Sequence, residues 1–170
     1  EGKDTDVGSW GGIMRDGPVS YTYITRAITF YSYNTYVWTN NTLVKLDIPD
    51  DGQVSGILNN QLLLGLKSDW VTGGKTFKQG SLVSLNFTSL LKGQKEIQLI
   101  LQPDEFSSIT DVSTTKSKLL LNVLNNVKSE LYIYSFSNGK WDKQKVGAPD
   151  FGSIGVNATD EFSDQYYFSF

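Results

Sequence analysis

The side chains that could do chemistry in this chain are few. It contains no histidine and no cysteine. Without histidine it lacks the commonest general base and the commonest metal ligand. A Ser-His-Asp triad cannot be assembled from it. Without cysteine there are no disulfides, thiolate nucleophiles or cysteine metal sites. Arginine occurs only as Arg15 and Arg26. Arg26, in Thr25-Arg26-Ala27-Ile28-Thr29-Phe30-Tyr31, is the candidate substrate-binding residue, a planar fork suited to a carbonyl or carboxylate. The competing assignment for Arg26 is a structural ion pair or an exposed side chain.

Gly73-Gly74-Lys75-Thr76 looks like the tail of a phosphate-binding loop. Such a loop needs Gly, four residues, then Gly-Lys-Ser/Thr opening a helix. The position of the first glycine is held by Asp69, whose carboxylate would repel phosphate, and Phe77–Val83 reads as strand. The stretch is therefore expected to be a long hairpin loop, its glycines supplying positive φ.

Acidic residues cluster at Asp47, Asp50 and Asp51, at Asp104 and Glu105, and at Asp160, Glu161 and Asp164. A glycosidase would need two of them facing each other across a pocket. Their Pro and Gly neighbours favour solvated turns instead. Asp4, Asp6 and Gly8 open a calcium-loop pattern without its bidentate Glu. No metal or cofactor site is expected. The sequons at Asn40, Asn86 and Asn157 are assigned no role. A net charge of −3 without a basic stripe argues against nucleic acid. No apolar run approaches the ~20 residues that span a bilayer. Compartment is not assigned.

The elements that must position these residues are strands. Short apolar runs fall at 19–25, 34–40, 42–48, 54–60, 61–67, 80–87, 95–101, 108–115, 117–126, 129–137, 140–146, 153–159 and 165–170. Turn residues separate them, including Ala148–Gly152, and residues 86–93 allow one short helical turn. Leu62-Leu63-Leu64 recurs 57 residues later as Leu119-Leu120-Leu121, and Tyr166-Tyr167-Phe168 follows after a further 47. A weak strand precedes each triplet. An alternating strand and a Lys-rich one follow the first two. Four strands in roughly 50 residues is the rhythm of a propeller blade. The expected fold is all-β, a partial β-propeller of three to four four-stranded antiparallel blades. The triplets would be covered on both faces, and Lys95–Leu101 and Lys140–Val146 would be outer strands. An evenly spaced sandwich is the alternative.

Leu66-Lys67-Ser68-Asp69-Trp70-Val71-Thr72-Gly73-Gly74-Lys75-Thr76, followed by Gly80-Ser81-Leu82, resembles a propeller stretch of bacterial prolyl oligopeptidase family serine peptidases. Arg26–Tyr31, Thr42–Asp51, Leu119–Val127 and Tyr167–Phe170 resemble family segments in the same order, so the likeness covers residues 26–170. The resemblance implies a propeller capping an α/β-hydrolase domain that cleaves short peptides after proline, the propeller restricting entry. No Gly-x-Ser-x-Gly elbow is present, so no catalytic residue carries over. Residues 1–170 are accordingly expected to be one propeller fragment that is not catalytic by itself. Its partners would be the hydrolase domain of the same parent chain and short peptides. The strand broken at Phe170 suggests a trimmed chain, and open blades are expected to self-associate. A stand-alone binding module for peptide or glycan is the alternative function, and a propeller glycosidase a third.

Overall fold

The structure is a computed structural model that describes residues 3–147 and 152–170. The turn expected at Ala148–Gly152 therefore lies outside the described residues, save Gly152. The first sheet is a meander of β1 (Gly8–Asp16), β2 (Val19–Ala27), β3 (Tyr33–Thr39) and β4 (Thr42–Lys45). The second contains β5 (Gln53–Leu58) and β6 (Gln61–Gly65). A separate hairpin follows, β7 (Trp70–Thr72) and β8 (Lys75–Phe77). The second sheet resumes with β9 (Leu82–Asn86) and, after helix α1 (Phe87–Leu91), ends with β10 (Ile97–Leu101). The third runs β11 (Ser107–Thr114), β12 (Lys118–Asn125), β13 (Lys128–Ser137) and β14 (Lys140–Lys145). A fourth begins with β15 (Gly155–Thr159) and β16 (Tyr166–Ser169). Among the described residues, none of the sheets closes on itself. All pairings are antiparallel, and most strands fall into successive separate four-stranded sheets, as in a partial propeller. The first strands of successive sheets, β1, β5, β11 and β15, lie beside one another and form the inner wall.

The leucine triplets explain why the sheets stack. Side chains alternate across a strand, so a central strand with no polar position offers an apolar face to each neighbour. On β6, Leu62 and Leu64 pack with Met14, Val37 and Phe87 between the first and second sheets. Leu63 points the other way, into a core with Leu82, Leu119 and Leu121. On β12, Leu120 turns from that core toward Leu131 and Ile154. All six triplet leucines are fully buried. The third triplet departs from the expectation. Tyr166 and Phe168 pack inward, but Tyr167 is 70% exposed, because no sheet lies beyond β16 among the described residues. Strands β10 and β14 are edges, as expected; the charges of β14 discourage edge pairing, whereas β10 itself carries none, Lys95 and Glu96 lying just before it.

Two elements were not legible in the pattern. Strand β1, Gly-Ser-Trp-Gly-Gly-Ile-Met-Arg-Asp, is too glycine-rich to read as strand. Its glycines answer to tertiary packing. A Cβ on Gly11 would stand 2.8 Å from the Tyr23 carbonyl oxygen, and one on Gly12 would meet the Tyr23 ring at 3.0 Å. The β7–β8 hairpin was the other. Gly73 and Gly74, at φ 57° and 72°, close it in a two-residue turn, shorter than the long loop expected. Phe77 anchors it in the core against Trp70.

The same two-residue geometry recurs at Asn40-Asn41, Asn59-Asn60, Asn126-Val127 and Asn138-Gly139, with positive φ at both positions. Primed turns match the twist of the strands they join, and Asn and Gly tolerate them. Val127 is the exception, a β-branched residue at φ 63° that is 91% exposed. Left-handed backbone costs such a residue roughly 1–2 kcal/mol, so Val127→Asn is expected to stabilise the protein by about 1 kcal/mol. Slower hydrogen exchange across β12 and β13 would show it, and faster exchange would contradict it.

Candidate functional site

A cleft of about 1030 Å³ opens along the inner wall. Trp10 and Ile13 of β1 and Ser55 and Gly56 of β5 line it, with Tyr31 and Phe162 from connections of the first and fourth sheets. The wall mixes aromatic, aliphatic and polar side chains. Its acids are all engaged. Asp16 accepts the amides of Asn59 and Asn60 at 2.7 and 2.6 Å. Asp51 accepts Ser68 Oγ at 2.6 Å, and Glu161 pairs with Arg15 at 2.8 Å. No pair of free carboxylates faces across the space as glycoside hydrolysis requires. Among the described residues, no group of three or more His, Cys, Asp or Glu could hold a metal ion. Among the described residues, no helix is long and apolar enough to cross a membrane.

Arg26 lies elsewhere. It points to Asp6 in a two-pronged pair, Nε to Oδ2 at 2.7 Å and Nη2 to Oδ1 at 2.8 Å, and both side chains are largely covered. It is not among the residues lining the cleft. The pair ties the segment before β1 to β2. The Arg26 guanidinium, helped by the Lys3 amide, holds the Asp6 carboxyl below its ordinary pKa. A carboxyl held low in the fold adds stability above the ordinary carboxylate range. That stability is lost as pH falls through the lowered value. Arg26→Gln should therefore destabilise this edge at neutral pH and flatten its acid dependence. An unaltered acid limb in hydrogen exchange of β1 and β2 would contradict the assignment.

The acidic clusters divide. Asp104 accepts the Phe106 amide and Ser107 Oγ, and Asp160 the Phe162 amide and Ser163 Oγ, which are local turns as expected. Asp47 pairs with Lys95 at 2.7 Å. Asp69 pairs with Lys78 and accepts the Gln79 amide, shaping the connection after the hairpin rather than a phosphate site. Glu161 and Asp164 are exposed and lie in a bend, as expected, but both also bond across sheets. Asp164 accepts Thr115 Oγ1, the Ser117 amide and Ser117 Oγ at 2.8, 2.7 and 2.6 Å, joining the fourth sheet to the third. Asp16 performs the same task between the first and second sheets. Between the second and third, Trp141 Nε1 donates to Ser84 Oγ at 2.9 Å. Asp16 stands in Asp-Gly-Pro, a turn signal that locates it without revealing a partner 43 residues away.

A row of neighbouring sheets locked around one cleft is a partial β-propeller, which defines the class of the protein. No protein-family model matches the chain. Two curated relatives do. One is an uncharacterized peptidase, y4nA, of Sinorhizobium fredii, 27% identical over 98% of this chain and 24% of that protein. The other is an uncharacterized peptidase, RP174, of Rickettsia prowazekii, 30% identical over 75% of this chain and 19% of that one. A post-proline cleaving enzyme from Rickettsia typhi superposes with TM-score 0.88 at 23% identity, over 99% of this chain and 26% of its own. Prolyl oligopeptidase B of Galerina marginata does so with TM-score 0.63 at 14% identity, over 94% and 22%. In sequence the chain matches part of two peptidases, and in fold part of a post-proline cleaving enzyme and of a prolyl oligopeptidase, which supports a prolyl oligopeptidase-family fragment. It spans about a quarter or less of the length of the relatives it matches.

Proposed function

We propose that this chain is the non-catalytic, substrate-gating part of the propeller of a prolyl-oligopeptidase-like serine endopeptidase that hydrolyses short peptides after proline. The reacting groups then belong to an α/β-hydrolase domain outside residues 1–170. The observation that carries this reading is the cleft, which offers room and whose described lining holds neither histidine nor cysteine nor an unpaired acid. Its volume reaches the upper end of the range of ligand pockets, roughly 300–1,000 Å³. Every acid lining it is already hydrogen-bonded or ion-paired.

A second observation supports a covering domain. Phe30, Tyr31, Val71, Phe106 and Val127 are each more than 60% exposed. Four sit in connections, and Val71 in the β7–β8 hairpin, at the end where the inner strands begin. Apolar groups gathered at one end favour burial against another body. The test is a length series of proline-containing peptides offered to the intact protein. Short peptides should be cut after proline and folded proteins left intact. Ser55→Trp, which narrows the cleft, should lower kcat/KM for peptides without slowing a small serine-directed phosphonate. Digestion of folded proteins at comparable rates would sink the gating role.

A further inference from the structure

We propose that Arg15 and Glu161 form a gate across one mouth of the cleft and set the size of peptide it admits. The inference rests on the reading of the cleft as a peptide passage. Both residues line the cleft, and their ion pair spans 146 residues of sequence. Among the described residues it is the one hydrogen-bonded contact between the first sheet and the fourth. It stands at the end of the cleft where inner strands β1 and β15 finish, opposite Phe30, Phe106 and Val127.

The mounts on either side are rigid. Asp16, next to Arg15, is held by the Asn59 and Asn60 amides. The loop carrying Glu161 is pinned at both ends. Asp160 accepts the Phe162 amide and Ser163 Oγ, and Asp164 is bound to Thr115 and Ser117. Opening the gate therefore needs rotation of two side chains, not movement of two sheets. The pair is also weak enough to serve. Its side chains are 54% and 53% exposed, and exposed pairs are screened by salt and contribute little to stability. A buried pair would shut the mouth permanently. An exposed one yields to thermal motion, at a penalty that grows with the width of what must pass.

The experiment compares a short and a long proline-containing peptide with the same cleavage site, using the intact protein. The variants are Arg15→Gln, Glu161→Gln and the swap Arg15→Glu with Glu161→Arg. Each single variant is expected to raise kcat/KM for the long peptide about two- to fivefold, the factor that an exposed pair is worth. The short peptide should be unaffected, and the swap should restore the original ratio. High salt should move the unaltered protein toward the single variants. Unchanged ratios in the single variants, with cleavage intact, would overturn the gate alone. So would a swap that fails to restore discrimination. Absence of any peptide cleavage by the folded, unaltered protein would overturn the peptide reading and the gate with it.

Discussion

Leu63→Ala is expected to cost about 3–5 kcal/mol, the range for a fully buried leucine whose surroundings cannot collapse. The loss should fall on the interface between the second and third sheets, because Leu63 packs with Leu82, Leu119 and Leu121. Leu64→Ala should cost a similar amount at the opposite interface, where Leu64 meets Met14, Val37 and Phe87. The two leucines are chain neighbours but share no cavity, so their effects should add within ~0.5 kcal/mol. Leu62 and Leu64 share one core and should not add. Native-state hydrogen exchange of the intact protein reads each sheet separately. Strong coupling between Leu63 and Leu64 would show that β6 does not divide two cores.

Asp164→Ala is expected to cost about 2–3 kcal/mol, since a charged acceptor loses three hydrogen bonds and Thr115 and Ser117 lose their partner. Burial by itself would raise the Asp164 carboxyl, but the Ser117 and Thr115 hydrogen bonds outweigh it and hold the pKa below its ordinary value. The sign follows. The folded form binds its proton less readily than the unfolded one, so the contribution is complete above the ordinary carboxylate range. It disappears as pH falls through the lowered value. The variant should loosen the junction of the third and fourth sheets at neutral pH and differ little from the unaltered protein in acid. Hydrogen exchange at Ser117 and across β15 and β16 measures both. An equal loss at both pH values would mean that packing, not the carboxylate, holds the junction.

Most strands were legible because their signal is local. Alternation and turn residues placed thirteen of the sixteen strands, and residues 86–93 marked α1, which Asn86 caps. The Leu triplets and Lys-rich edges also ordered the second and third sheets correctly. Strand β1 was hidden because Gly11 and Gly12 are selected by the approach of Tyr23, a residue of the next strand. The site was less legible than the fold. Arg26 drew attention as a rare arginine, yet its fork is spent on Asp6. Arg15, equally rare, was not named as a site residue, yet it stands in the cleft.

What the sequence determined alone was chemical and periodic. The absence of histidine and cysteine excludes a catalytic triad and thiolate chemistry within this chain. The repeat of about 50 residues dictates blades, and Asp69 removes Gly73-Gly74-Lys75-Thr76 from the phosphate loops. Tertiary structure alone decided which acids are partners and which are turns. Asp104 and Asp164 sit in similar company, beside serines and near turns. One bonds within its own loop and the other reaches a residue 47 positions away. Local chemistry is carried by neighbours in the chain, whereas a lock between sheets, a cleft and a gate exist only where distant segments meet.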